Sequence, residues 1–193
     1  MNRLAIALTI SAALASTLAH AEAPDLSKVN GSLTAEAGKT YGDIDTVNGS
    51  ISVEEKAVAQ TVETVNGSIT IDPFARVGDV STVNGKILMR NGVAARSVET
   101  VNGSIVGVSN LRIEKGVEAV NGSIEIGASS LVGGNVETVN GAITLLAMKI
   151  GGNVETVNGN VTIGENSVVA GHLKVNKPKG WGINWGKPKV PRI

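Results

Sequence analysis

The chain has 193 residues, a formal net charge of +0 and an aromatic content of 2%, which excludes a conventional core filled by large aromatic side chains. It has Cys 0, so disulfides, thiolate metal sites and a cysteine nucleophile are also excluded. Glycine is frequent at 24 residues, and aliphatic side chains supply nearly all of the 42% hydrophobic content, a composition that suits thin, tightly wound β-structure.

The first 21 residues have the organisation of a secretory signal peptide. Arg3 gives a positive start, an apolar stretch runs from Leu4 to Leu18, and Ala19-His20-Ala21 forms an A-x-A cleavage motif. The apolar stretch is shorter than the ~20 residues that span a bilayer. We therefore predict a cleaved signal peptide over 1–21, a lead-in over 22–27, and no transmembrane segment after cleavage. The mature protein is expected in the periplasm, on the outer surface or in the medium.

A repeat centred on the tripeptide Val-Asn-Gly occupies positions 28–175, and its asparagine returns at intervals of 18, 18, 18, 18, 19, 19 and 18 residues. The eight repeating asparagines are Asn30, Asn48, Asn66, Asn84, Asn102, Asn121, Asn140 and Asn158. One further step of 18 reaches Asn176, which we interpret as a degenerate ninth copy without its glycine.

Within each copy, aliphatic residues alternate on one side of the asparagine and are three apart on the other. Ile69 and Ile71 follow Asn66 by three and five positions, which is the period of one face of a strand. Val62 and Val65 precede it by four positions and by one. This spacing predicts that the alternation slips beside the Asn-Gly, as at a corner between strands.

Two architectures fit an 18-residue unit: an antiparallel meander of Asn-Gly hairpins and a parallel β-solenoid with one coil per copy. Only the solenoid places identical residues in register, where each asparagine amide can bond the next. We therefore predict an all-β, parallel β-solenoid (β-helix) of about eight to nine coils, on the order of 40 Å long. The extra residues of the 19-residue copies are expected in loops near Ser109-Asn110 and Ala128-Ser129.

Two outward rows are candidates for binding. Three positions before the asparagine runs an acidic row: Asp45, Glu63, Glu99, Glu118, Glu137 and Glu155, with Ser81 interrupting it. Two and four positions after the asparagine runs a polar ribbon that includes Ser32/Thr34, Ser50/Ser52, Ser68/Thr70, Ala142/Thr144 and Asn160/Thr162. We interpret the acidic row as a solvated face, with a divalent-cation site as the alternative. The ribbon is interpreted as strand exterior, with glycan or ice binding as the alternative.

The segment 176–193 differs from the repeat because it is basic and contains Pro178, Pro188 and Pro191, which stop regular strand pairing. Every acidic residue lies at or before Glu165. The segment is interpreted either as an end cap or as a contact for anionic lipid or polysaccharide, without specific nucleic-acid binding. The candidate surface-binding residues are Lys177, Lys179, Trp181, Trp185, Lys187, Lys189 and Arg192.

The sequence indicates no catalysis. After signal cleavage His172 is the remaining histidine, and a lone histidine supports neither general-base chemistry nor a metal site. Glycine-rich pieces such as Gly151-Gly152-Asn153 lack the spacing of a phosphate-binding loop. We predict a protein that is not an enzyme and uses no cofactor and no metal.

The cycle Val-Glu-Thr-Val-Asn-Gly-Ser-Ile, the Gly-Gly-Asn-Val between coils and the closing stretch from Lys177 to Trp185 resemble a bacterial family of β-strand-repeat adhesins. A more distant likeness is to bactofilins, which are polymer-forming cytosolic β-solenoids. The resemblance implies an exported structural or adhesive repeat protein of the cell envelope, with self-association or an envelope polymer as partner. The alternative is an envelope-surface binding module that works through the basic Trp-containing tail.

Overall fold

Short runs of β-branched and aliphatic residues separated by Asn-Gly and polar turns form 21 strands in the computed structural model, which describes residues 23–175. No helix occurs among these described residues. The strands form a parallel β-solenoid of about eight turns. The early coils contain β1 (Leu26–Asn30), β2 (Leu33–Ala35), β3 (Thr40–Asn48), β4 (Ile51–Val53), β5 (Val58–Asn66), β6 (Ile69–Ile71), β7 (Arg76–Asn84), β8 (Ile87–Met89), β9 (Ala94–Asn102) and β10 (Ile105–Gly107).

From the sixth coil onward the long strand of each coil is divided into two. The later strands are β11 (Arg112–Ile113), β12 (Val117–Asn121), β13 (Ile124–Ile126), β14 (Leu131–Val132), β15 (Val136–Asn140), β16 (Ile143–Leu145), β17 (Lys149–Ile150), β18 (Val154–Asn158), β19 (Val161–Ile163), β20 (Val168–Val169) and β21 (Leu173–Val175). Each coil therefore has three strand segments, which we number first, second and third in chain order.

Every strand pairing is parallel and joins equivalent positions of successive coils. In β5 and β7, for example, Val62 pairs with Val80 and Asn66 with Asn84. The third segments form a separate eight-stranded sheet that runs from β2 to β19. Parallel pairing excludes the antiparallel meander and confirms the predicted solenoid.

The core is a stack of small aliphatic layers. In a central coil the inward side chains are Val80, Thr82, Ile87 and Met89, each 1% exposed or less. The predicted burial of the positions three and five after the asparagine is therefore confirmed. Because each layer repeats above and below, the thin core needs no large aromatic residue.

The valine directly before the asparagine does not face the core, so the predicted slip beside Asn-Gly is wrong. The second segment alternates regularly, which buries Val62 and Thr64 and turns Val65 outward. Ala59 and Val62 are both buried and three apart, so the slip lies between the first and second segments. The outward positions form a valine row along the solenoid: Val29, Val47, Val65, Val83, Val101, Val120, Val139 and Val157.

The extra residue of the 19-residue copies lies between the first and second segments and not in the predicted loops. Ile113 pairs with Ala95 at a separation of 18, whereas Val117 pairs with Val98 at 19, which places the insertion within 114–116. The next coil keeps the same length. The later return to 18 reflects a shorter loop at 146–148, since Leu145 and Lys149 bracket the change in register.

One corner of every coil uses the left-handed backbone region. Residues with positive φ recur at equivalent positions: Gly38, Lys56, Phe74, Gly92, Asn110, Ser129, Ala147 and Asn166. Gly92 is doubly constrained, because its φ is +74° and an added Cβ would overlap the ring of Phe74. The repeat therefore tolerates strained side chains at this corner, where the backbone geometry is set by the coils on either side.

The ends of the described region bear on the predicted boundaries. Leu26 pairs with Ile44, so strand pairing begins two residues before the predicted start at position 28. At the other end Thr156 pairs with Val175 at a separation of 19, so the step of 18 that led to Asn176 does not hold there. The predicted signal peptide, Asn176 and the tail lie outside the described residues. Residues 23–175 contain no helix long and apolar enough to cross a membrane.

Candidate functional site

The repeating asparagines form one continuous hydrogen-bonded ladder along the solenoid. The Nδ2 group of Asn48 donates to Oδ1 of Asn30 at 2.9 Å, and the same bond links each asparagine to the next up to Asn158. The distances range from 2.8 Å, at Asn158, to 3.0 Å, at Asn102. Each interior amide thus has a partner on both sides, which stabilises the register of the corner.

Beside the asparagine ladder runs a glycine ladder with almost no space between coils. A Cβ built on Gly67 would lie 2.5 Å from the carbonyl carbon of Gly49 and still closer to its oxygen. The same overlap recurs at Gly49, Gly85, Gly103, Gly122, Gly141 and Gly159. Glycine is required here by the close approach of one backbone to the next.

A buried threonine completes this corner and was not singled out from the sequence. The hydroxyl of Thr64 donates to the carbonyl oxygen of Gly49 at 2.9 Å, and Thr82 bonds Gly67 in the same way at 3.0 Å. The threonine recurs two positions before the asparagine, and that recurrence is the signal that could have revealed it. The corner is therefore a structural unit of asparagine, glycine and threonine, with its polar groups bonded between coils.

The acidic row lies on the outward side of the second segment. Glu99, Glu118 and Glu137 pair in register in successive coils, and Glu137 pairs with Glu155. Partial burial raises the pKa of Glu118, and the carboxylates of Glu99 and Glu137 raise it further. The row ends at Lys174, whose Nζ lies 2.7 Å from Oε1 of Glu155.

Glu63 experiences the same effect in the other half of the row. Partial burial raises its pKa, a hydrogen bond with Ser81 opposes the rise, and Asp43, Asp45 and Asp79 add to it. Within residues 23–175 no group of three histidine, cysteine or acidic side chains is placed to hold a metal ion. The row is a strip of mutually repelling carboxylates along the solenoid.

We expect Glu118→Gln to raise the melting temperature at neutral pH and to change it little at about pH 4. The pKa of Glu118 is higher in the folded state than in the unfolded chain, so the folded state binds the proton more tightly. Its ionised carboxylate therefore lowers stability above the folded pKa, and this loss disappears as the pH falls through that pKa. Circular-dichroism melting curves at both pH values measure the difference.

Glu125→Gln is the matched control, because Glu125 is exposed on the third segment and pairs with Val106 and Thr144. This substitution removes the same charge without a neighbouring carboxylate, so we expect a small effect at both pH values. Equal stabilisation by the two substitutions, or a lower melting temperature for Glu118→Gln at neutral pH, would contradict the repulsion along the row.

The serines of the polar ribbon have a structural role in the first coils. The hydroxyl of Ser32 accepts the backbone N–H of Ser50 at 3.3 Å, and the hydroxyls of Ser50 and Ser68 accept the N–H groups of Ser68 and Lys86. Lys86, Leu88 and other residues interrupt the ribbon farther along. These contacts favour strand exterior over a regular ligand-binding face.

A groove of about 420 Å³ opens on the first segments of the third to sixth coils. Its lining includes Arg76, Arg96 and Arg112, together with Gly78 and Ala94. Sequence reasoning missed this groove, because the three arginines are separated by 20 and 16 residues and only the coil register brings them together. We name it the arginine groove.

The remaining sequence candidates do not converge on a site. His172 is exposed, and its backbone N–H, not its ring, bonds Oδ1 of Asn153. Gly151 and Gly152 pack against the backbone of the preceding coil. The candidate residues of the tail, from Lys177 to Arg192, lie outside the described part of the chain. The described candidates are therefore the three outward rows and the arginine groove.

Comparison with known proteins gives no relative from which a function could be inferred. No family model, no curated protein and no solved structure matches this chain.

Proposed function

We propose that the protein is an exported, non-catalytic rod that serves as a structural or adhesive element of the cell envelope. The observation that carries this proposal is the in-register ladder of backbone and asparagine bonds from the first coil to the eighth. Such a ladder makes a stiff object whose surface consists of repeated rows. A repeated surface suits contact with a polymer, an assembly or a second rod better than it suits the conversion of one small substrate.

Export is proposed from the sequence of the first 21 residues, with the periplasm, the outer surface and the medium as destinations. The absence of cysteine agrees with a protein that gains its stability from repeated backbone pairing. The adhesive role is proposed from the resemblance to β-strand-repeat adhesins and depends on those motifs alone.

The end of the rod offers a route to self-association. β1 pairs with β3 and β2 pairs with β4, and each stands at the end of its row of strands. A strand at the end of a row has backbone N–H and C=O groups that another chain can pair with. We propose that copies associate through these coil edges.

The charge distribution favours a second candidate function. From Lys174 onward the sequence contains six basic residues and no acidic residue, together with Trp181 and Trp185. Such a segment suits attachment to anionic lipid or polysaccharide. In this alternative the solenoid is a spacer and the tail is the binding module.

We expect the mature chain to self-associate as its concentration rises, with little dependence on salt, because backbone pairing dominates the contact. Analytical ultracentrifugation over a salt series measures this. A version truncated after Asn176, assayed in parallel with anionic vesicles and polysaccharide, separates the two functions. Attachment that fades steeply with salt and disappears on truncation supports the tail as the binding module.

Two outcomes reject these functions. A chain that stays monomeric at high concentration and binds no anionic surface contradicts both. Reproducible hydrolase or lyase turnover that is lost on unfolding contradicts the non-catalytic role.

A further inference from the structure

The arginine groove lies where the solenoid departs most from its own repeat. The long strand of the early coils ends with β9, and the next coil divides it into β11 and β12 around the extra residue at 114–116. Glu114, from this insertion, lines the groove. Insertions in repeat proteins and irregular strand pairings both concentrate at binding faces. The structural irregularity and the groove therefore coincide.

Register brings two of the arginines to either side of a small residue. Arg76 pairs with Ala94, and Ala94 pairs with Arg112, so the two arginines stand two coils apart with a methyl group between them. Two coils correspond to about 10 Å. Both arginines are exposed, and neither forms a salt bridge with a residue in the described part of the chain.

The third arginine is held in place from below. Nε of Arg96 donates to Oδ1 of Asp79 at 2.7 Å, and its Nη2 donates to the other carboxylate oxygen. The hydroxyl of Ser97 donates to the same Oδ1 at 2.7 Å. These hydrogen bonds lower the pKa of Asp79, the bond from Arg96 most of all. Two-point pairing fixes the plane of the guanidinium and leaves other N–H groups of Arg96 available.

The groove is positive on a solenoid that is acidic. Residues 23–175 contain 11 lysines and arginines against 16 aspartates and glutamates, a net charge of −5. The lining of the groove has three arginines and one acidic residue, Glu114. A local reversal of sign in a concave surface attracts anions to that surface.

We propose that the arginine groove binds an acidic polysaccharide, with its carboxylates on Arg76 and Arg112 and the intervening part of the chain beside Arg96. A single small anion cannot bridge two guanidinium groups about 10 Å apart, whereas a chain with repeated carboxylates can. The lining contains no aromatic residue, so it offers no platform for stacking nucleic-acid bases. A concave groove also fits a chain better than it fits a flat membrane. The proposal is independent of self-association, because it uses a side of the rod and not its end.

The test measures binding of polygalacturonate to the full mature chain by titration calorimetry at low salt. We expect Arg76→Gln combined with Arg112→Gln to weaken binding about tenfold. The matched control is Lys39→Gln combined with Lys56→Gln, which removes two exposed positive charges at another corner and should change affinity less than about twofold. Circular dichroism checks the fold of both variants, and each single arginine variant should give an intermediate loss.

The basic tail is a competing site for the same polymer, so a third variant carries Lys187→Gln and Lys189→Gln. The proposal predicts that this variant binds much more tightly than the arginine double variant. It is overturned if polygalacturonate does not bind, or if only the tail variant loses affinity. Inorganic phosphate that binds as tightly as the polymer would assign a small-anion site instead, and tighter binding of an oligothymidylate would assign nucleic acid.

Discussion

Replacing Gly85 by alanine is expected to lower the free energy of unfolding by about 3 kcal/mol or more. The new Cβ would lie 2.5 Å from the carbonyl carbon of Gly67 and closer to its oxygen. Both groups belong to the backbone of the solenoid, so no side-chain rotation can relieve the overlap, and the two coils must move apart. This movement also lengthens the bonds that Asn84 and Thr82 make to the preceding coil. The melting temperature should fall by about 10 °C.

Gly38→Ala is the control for this prediction. Gly38 has a φ of +69°, and an added Cβ would meet nothing within 4 Å. The substitution therefore introduces backbone strain without overlap, at a cost of about 1 kcal/mol. Thermal melts of both variants provide the comparison. A loss at Gly85 no greater than the loss at Gly38 would show that the coils can separate at the glycine ladder without cost.

Replacing Val80 by aspartate is expected to unfold the central coils, whereas the same replacement at Val83 should be tolerated. Val80 is 1% exposed, and a carboxylate there has no partner, which costs several kcal/mol, comparable to the whole stability of an ordinary domain. Val83 belongs to the outward valine row, where the new carboxylate reaches water. Repulsion from the acidic row should then cost less than about 1 kcal/mol.

Urea denaturation followed by circular dichroism measures the two midpoints. Because both positions lie in β7 and receive the same residue, strand propensity and charge are matched. A similar loss at Val80 and Val83 would contradict the orientation of the second segment. A larger loss at Val83 would restore the interpretation in which the valine beside the asparagine faces the core.

The orientation of these valines shows where sequence reasoning succeeded and where it failed. The alternation at Ile69 and Ile71 identified a buried strand face correctly, because an alternating aliphatic pair leaves one choice of face. Val62 and Val65 gave two aliphatic positions three apart, and the sequence could not show which one turned outward. The structure resolves this because buried Thr64 bonds a backbone carbonyl in the preceding coil. A threonine can occupy an inward position when its hydroxyl is satisfied there.

The position of the extra residue illustrates a related limit. The spacing between Asn102 and Asn121 counts one additional residue in the coil, and the count is the same wherever that residue lies. Turn-forming residues suggested Ser109-Asn110, but the register changes between Ile113 and Val117. The arginine groove escaped detection for the same reason, since Arg76, Ala94 and Arg112 become neighbours only after the coils are paired.

The sequence by itself determined the fold class, the direction of stacking and the asparagine corner. A fixed period with an invariant residue is satisfied by coils in register, and the stacked amides then bond one another. Tertiary structure alone decided which corner absorbs an insertion, which valine faces water and which charges meet across coils. These features depend on contacts between residues 18 or 19 positions apart, with each contact set by the register of whole coils and not by local sequence. The arginine groove is the clearest product of that register.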